Sequence, residues 1–226
     1  MAKRPTVGTS WHTIAKHGLF WEFVAREVRA ANHPNLDWIT RLMWFDLTAG
    51  NAVPAYEAPW HTACSPGILA FQASQSIKPV GVVLYERDAS IYALLLDSLA
   101  KHLPDLGYER IGDRVWRISD RVMLWVNNAD GRTAKTTELR PNDAVLVLND
   151  PNSITGWAMR PGFAAEILER QRCKGLRVLS TLGCNVNGIL RAPLRRNTLD
   201  LGDGSEVMSL SEREAWFGLV NEQTLV

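Results

Sequence analysis

Leu19, Phe20, Phe23, Val24, Val28 and Ala31 recur at helical spacing and predict an amphipathic helix over roughly 12–31. Residues 1–10 lack that period and read as a loose tail, so 1–40 forms a tail and helical extension ahead of the main fold. His33-Pro34-Asn35 stops the helix. The run Leu42 to Leu47 is almost wholly apolar and reads as a first buried strand. It passes into the small-residue turn Thr48-Ala49-Gly50-Asn51. Residues 52–64, with Pro54, Tyr56, Pro59 and Trp60, read as a loop-like insertion with the character of a lid. Ser65-Pro66-Gly67 then starts a helix over 66–75, with Ser65 as cap and Pro66 as its first residue.

The alternation continues. Val80 to Tyr85 is a second apolar strand, and Asp88 caps a helix whose apolar face is Ile91, Leu94, Leu95, Leu99 and Leu103. Val115, Trp116 and Ile118, then Val122, Leu124 and Val126, predict a hairpin or two short strands around Ser119-Asp120. Residues 131–140 read as a weak helix, 144–148 as a fully apolar strand, 161–172 as a helix and 176–182 as a further strand. Ser211-Glu212-Arg213-Glu214 is a capping-box sequence that opens a helix over 211–222. Strands alternating with helices define an α/β protein with a sheet covered on both faces. No repeat or linker interrupts the chain, so 1–226 reads as a single domain.

Composition narrows the choices. Hydrophobic residues at 46% and charged residues at 22% are ordinary for a globular protein. A net charge of +1 gives no global electrostatic case for nucleic acid, so local charge must carry it. Three scattered cysteines, Cys64, Cys173 and Cys184, make no disulfide framework and suit a reducing cytoplasm. No apolar run reaches the length of a membrane span, and no apolar signal core follows the basic start. His61 and Cys64 have a ligand-like spacing but no second pair nearby, so no metal site is expected.

Asp46, Thr48, Ala49, Gly50 and Asn51 carry the first candidate chemistry. A strand, a glycine turn and an acid at the tip of the next strand is how a doubly wound sheet holds an adenosine-bearing cofactor. Glu86, after Tyr85, supplies the acid. The turn lacks the three-glycine dinucleotide fingerprint and the Gly-Lys-Ser/Thr of a triphosphate loop. A loose turn with a distant ribose acid fits S-adenosylmethionine, which has no pyrophosphate to cradle. Asn127 and Asn128, at the end of the strand Val122–Val126, are placed to touch the adenine. The same turn is also compatible with an ordinary strand-to-helix corner.

Asn149-Asp150-Pro151-Asn152 follows the strand 144–148, at the carboxyl end where ligands bind in such sheets. It resembles the Asp/Asn-Pro-Pro-aromatic motif of amino-group methyltransferases. There the side chain and a carbonyl accept amine hydrogens and aim the nitrogen lone pair at the methyl group. Asp150, Pro151 and Asn152 are therefore candidate catalytic residues, although the sequence is also a good turn. Arg191, Arg195 and Arg196 surround Pro193 and make a candidate phosphate-binding edge for a nucleic-acid substrate. Arg110, Arg114, Arg117 and Arg121 on the hairpin fit solvated surface better.

Taken together, these motifs resemble the three-Cys-motif partner proteins, a family assigned to Rossmann-type methyltransferases and often found beside a radical-SAM-like protein. Lys16-His17 resembles the start of their N-terminal helix, and Phe45 to Asn51 their Asp-x-Phe-Ala-Gly-x-Gly turn. Ser65 to Ala70 resembles their Gly-Ser-Pro-apolar-Ala helix start, and Asp150-Pro151 with Gly156 their Asp-Pro-aromatic-Gly segment. This chain departs from the family where Ala52 or Val53 replaces the second glycine of the turn and Asn152-Ser153 replaces the aromatic-Gly pair. The resemblance implies a SAM-type site and names no substrate.

The expected architecture is a three-layer sandwich of the class I S-adenosylmethionine-dependent methyltransferase (Rossmann-like) type, with a mixed sheet of about seven strands. The expected function is methyl transfer to an exocyclic amino group in nucleic acid. The alternatives are a non-catalytic module acting through a protein partner, and a methyltransferase on a small molecule or protein.

Overall fold

The structure, a computed structural model, describes residues 11–54, 56–137, 139–149, Glu166, 176–180, 198–200 and 206–209. Helix α1 (Trp11–Ala31) buries His17, Phe20, Val24, Val28 and Ala31 along one side. Leu19, expected on that side, is 67% exposed, so the buried stripe is narrower than the apolar spacing predicts. A single 3-10 turn, Pro34–Leu36, follows, with the His33 ring accepting the Asn35 N–H at 3.2 Å.

The strands are β1 (Arg41–Asp46), β2 (Val80–Tyr85), β3 (Glu109–Gly112), β4 (Val115–Ile118), β5 (Val122–Asn127), β6 (Asp143–Asn149) and β7 (Leu176–Ser180). They form one mixed sheet in the order β3-β4-β5-β2-β1-β6-β7. From β5 to β7 all neighbours are parallel, while β3 and β4 add an antiparallel edge. Two further strands, β8 (Thr198–Asp200) and β9 (Glu206–Ser209), pair with each other in a separate ladder. The chain starts at the centre of the sheet with β1 and β2, passes to the far edge at β3, works back inward through β4 to β5 beside β2, then crosses to the other side of β1 with β6. That reversal makes the gap between β1 and β6 the topological switch point of a doubly wound sheet, where crevices for ligands open.

Register fixes which residues meet the helices. Leu146, Trp44, Val82 and Leu124 lie in one row across β6, β1, β2 and β5. All four are buried in one core with Ile68 and Leu69 of α3 (Ser65–Ser74) and Leu95 and Leu99 of α4 (Ala89–His102). Full burial of each such side chain contributes about 1.5–3 kcal/mol over exposure. The alternate residues Met43, Phe45, Val145 and Val147 are buried on the other face, as a sheet covered on both sides requires. At the amino ends of β1 and β6, the half-buried Arg41 and the buried Asp143 form a two-pronged ion pair, at 3.0 and 2.6 Å.

Several elements differ from expectation. The insertion holds a short helix, α2 (Trp60–Ala63), and α2 abuts α3 so closely that Cys64, with extended backbone, takes the cap position expected of Ser65. Among the described residues of 131–140 the one helical element is a 3-10 turn, Gly131–Thr133, because Asp130 folds its carboxylate onto the Arg132 N–H and no apolar helical face follows. β3 was not expected, since its four residues are all exposed and show no alternation. Leu94 is 45% exposed, and α4 packs instead through Tyr92, Leu95, Ser98 and Leu99. The predicted helix over 161–172 is described only at Glu166, which is helical. The helix predicted over 211–222 lies outside the described residues. Among the described residues, no helix is long and apolar enough to cross a membrane.

Candidate functional site

The site is built at the carboxyl ends of β1, β2 and β5. Asp46 ends β1 fully buried, in the row of Leu84 and Leu148, and its carboxylate accepts the Thr48 N–H at 3.1 Å. The chain then bends. Leu47 N–H still pairs with Leu148 O at 3.0 Å, and Ala49 N–H with Tyr85 O at 2.9 Å. Gly50 takes a φ of +65°, a left-handed value that glycine adopts without steric cost. Asn51 closes the turn by accepting the Val53 N–H on its side chain at 3.0 Å.

Glu86 sits one residue past β2 and is half-buried. Its Oε2 accepts the Gly50 N–H at 3.1 Å and its Oε1 the Asp88 N–H at 2.8 Å. A carboxylate has about four acceptor positions, so each oxygen retains one for a ligand hydroxyl. The sequence-predicted turn and acid, 36 residues apart, are thus in direct contact.

Asn127 and Asn128 lie beside Glu86 at the end of β5. Their side-chain amides are engaged in the scaffold: Asn128 donates to Glu86 O at 2.9 Å and Arg87 O at 3.4 Å, and Asn127 to Leu84 O at 3.5 Å. The next residues were missed. Asp130 accepts the Arg132 N–H at 2.9 Å and pairs with the Arg132 guanidinium, which holds its carboxyl below the usual range. Gly131 is packed so tightly on the β1 turn that a Cβ there would lie 2.3 Å from Leu47 O. The Asp130-Gly131 dipeptide is a turn signal in the sequence and marks this close approach.

A second layer supports the turn. Ala52 is buried, at 2% exposed, and has a φ of +51°, which disfavours any residue with a side chain by roughly 1–2 kcal/mol. Its carbonyl receives two donors, Trp60 Nε1 at 2.8 Å and Ser98 Oγ at 2.7 Å. The Trp60 ring stacks on His102 at 5.1 Å. The 52–64 insertion is therefore pinned to α4 at its Trp60 end. Ser98, a lone hydroxyl on the apolar face of α4, was legible as an oddity but not as a partner for residue 52.

Other candidates are placed as follows. Burial pushes the Cys64 thiol up to about 12, and its Sγ donates to Trp60 O, so it is a packing residue and a poor nucleophile. His61 stacks on Phe71 at 4.6 Å, and among the described residues no group of three metal-ligating side chains occurs. The hairpin arginines serve their own fold. Arg110 bonds Gly112 O and Asp113 O, Arg114 lies over Tyr92, Arg117 pairs with Glu109, and Arg121 reaches Ser76 O. Asp150, Pro151, Asn152, Arg191, Arg195 and Arg196 lie outside the described residues. An open cleft of roughly 680 Å³ runs along α1, lined by residues including Ile14, His17, Trp21 and Tyr56. The strand ends do not line it, so it is separate from the site above.

No protein-family model matches the chain, and no curated protein matches its sequence. The fold and site define a Rossmann-like α/β protein with a mixed sheet.

Proposed function

We propose that the chain is an S-adenosylmethionine-dependent methyltransferase of the class I type. One contact carries this reading. The Glu86 carboxylate at the tip of β2 holds the left-handed Gly50 at the tip of β1, beside the switch point, with acceptor capacity left for a ribose diol. The chemistry after β1 favours this cofactor over a dinucleotide. Among the described residues the first helical one after the turn is Trp60, so no helix N-terminus directly follows Gly50 to receive a pyrophosphate. A sulfonium cofactor needs none.

In this reading Asp46, Thr48, Ala49, Gly50 and Asn51 surround the methionine part, Glu86 takes the ribose, and Asn127 and Asn128 border the adenine. Asp150, Pro151 and Asn152, next in sequence after β6, receive the target amine. Methyl transfer from a sulfonium is mainly a matter of placing the nucleophile in line, so positioning groups suffice. An exocyclic amine in nucleic acid is the proposed substrate class, with Arg191, Arg195 and Arg196 as its phosphate contacts. The resemblance to three-Cys-motif partner proteins supports the same assignment.

Calorimetric titration with S-adenosylmethionine and S-adenosylhomocysteine tests it. Saturable binding that Glu86→Ala weakens is expected. Absence of binding to either compound by a folded protein would remove the cofactor and the function with it.

A further inference from the structure

We infer that Trp60 and Ser98 are positioning residues for the cofactor, holding the ligand turn in shape by clamping the carbonyl of Ala52. This rests on the cofactor reading of that turn. In the resembled turn a second glycine follows Gly50; here Ala52 or Val53 stands in its place. Ala52 has the left-handed backbone that a glycine adopts freely, while Val53 does not appear among the left-handed residues. Alanine resists that conformation, so something else must stabilise it.

Two buried donors do so. Trp60 Nε1 and Ser98 Oγ reach the Ala52 carbonyl at 2.8 and 2.7 Å, and they also contact each other at 3.2 Å. Two hydrogen bonds to one buried carbonyl fix the direction of its peptide plane, and therefore the ψ of Ala52. The donors come from separate elements, α2 in the insertion and α4 after β2, each packed in the core. On the other flank Gly50 is held by Glu86. The turn is thus gripped at residues 50 and 52, leaving Asn51 between them with its side chain on the Val53 N–H. Such a turn needs little reordering when ligand arrives, which is how preorganisation favours affinity.

The test uses the full chain and four variants: Ser98→Ala, Trp60→Phe, and each combined with Ala52→Gly. Amide hydrogen exchange over residues 48–54 is read first, without ligand. Faster exchange in both single variants, with the melting temperature lowered by only a few degrees, is expected. Ser98→Ala removes only a hydroxyl and stays readable if Trp60→Phe does not fold. Titration with S-adenosylhomocysteine follows. Each single variant should lose about 10-fold in affinity, the scale of one buried hydrogen bond. Ala52→Gly in the same chain should restore it to within about 3-fold, because glycine keeps the bend without a clamp. Unchanged exchange in the single variants would overturn the proposal, as would an affinity loss that glycine does not repair. If the parent binds no S-adenosylhomocysteine, the methyltransferase reading fails, and the exchange arm alone decides the clamp.

Discussion

The backbone N–H of Gly50 donates to the Glu86 carboxylate at 3.1 Å, joining the tips of two adjacent parallel strands. Glu86 therefore braces the scaffold, and in the proposed reading its remaining acceptor positions take the ligand. Glu86→Ala should weaken S-adenosylhomocysteine by about 1.5–3 kcal/mol, through lost charge-assisted bonds to two hydroxyls. Glu86→Gln keeps an acceptor for the Gly50 N–H and should lose less. Calorimetry on both variants checks this. Equal affinity in parent and Glu86→Ala would take Glu86 out of the site.

Gly131 is the point where the β5 loop rests on the β1 turn. A Cβ there would meet Leu47 O at 2.3 Å and Leu47 Cβ at 2.8 Å, and neither atom can swing away. Gly131→Ala should displace the loop or the turn and cost on the order of 1–3 kcal/mol of stability, as overpacking does. It should also weaken the cofactor, though it adds only a methyl group. Chemical denaturation and titration read the two effects. A variant as stable as the parent would mean the contact is looser than this geometry.

At the opposite end of the sheet, Asp143 accepts from Arg41 at 3.0 and 2.6 Å and from the Arg140 N–H at 2.7 Å. Its side chain is fully buried. Asp143→Ala removes the carboxylate and leaves the Arg41 charge in place, so about 3–5 kcal/mol should be lost in urea unfolding. Cofactor affinity of the folded fraction should stay near that of the parent, because the pair sits at the amino ends of the strands. A large affinity loss would show that the two ends are coupled.

The sheet was legible because its strands are short apolar runs, and β1, β2 and β6 were read within a residue or two. The pairing of Gly50 with Glu86 was legible because a glycine turn after one strand and an acid at the tip of the next come together at one end of a parallel sheet. What was missed depends on side-chain direction across distance. Ser98 lies 46 residues from Ala52, and only the packing of α4 brings its hydroxyl to that carbonyl. The left-handed conformation of Ala52 was invisible because alanine gives no local sign of it. The 131–140 segment was misread because Asp130 bends the chain by a side-chain bond that outweighs weak helical propensity. β3 was missed because exposed edge strands carry no alternation.

Acid should weaken the fold in a defined window. The Ser90 hydroxyl, at 2.6 Å, and the Ile91 and Ser90 N–H groups hold the Asp88 carboxyl below its ordinary 3.8. The Arg132 guanidinium does the same for Asp130. A carboxylate lowered on folding contributes stability in full above its unfolded value and loses it as pH falls through the folded value. Melting temperature should therefore be flat down to about pH 4 and fall below it. Asp88→Asn keeps the cap but not the titration, so its acid slope should be shallower. Identical slopes would place the acid sensitivity elsewhere.

In the proposed reading the chemistry turns on Asp150. In the amino-methylation reading this residue aims the target nitrogen and does little for the cofactor. Its effect should then appear in turnover and not in cofactor affinity, the signature of an interaction made mainly in the transition state. Asp150→Ala should bind S-adenosylhomocysteine within a few-fold of the parent, yet lose on the order of 100-fold in methyl transfer. A tritiated-methyl assay against DNA, RNA and cell-extract fractions, parent and variant side by side, reads this. Transfer to nucleic acid that Asp150→Ala abolishes supports the proposed substrate class, and transfer only to protein or small molecules replaces it. A parent that binds the cofactor tightly and methylates nothing favours a module acting through a partner, as the altered residues Asn152 and Ser153 after Asp150-Pro151 would allow. Equal activity in parent and variant would leave Asp150 as a turn residue and move the amine-orienting role to another group at the mouth of β6.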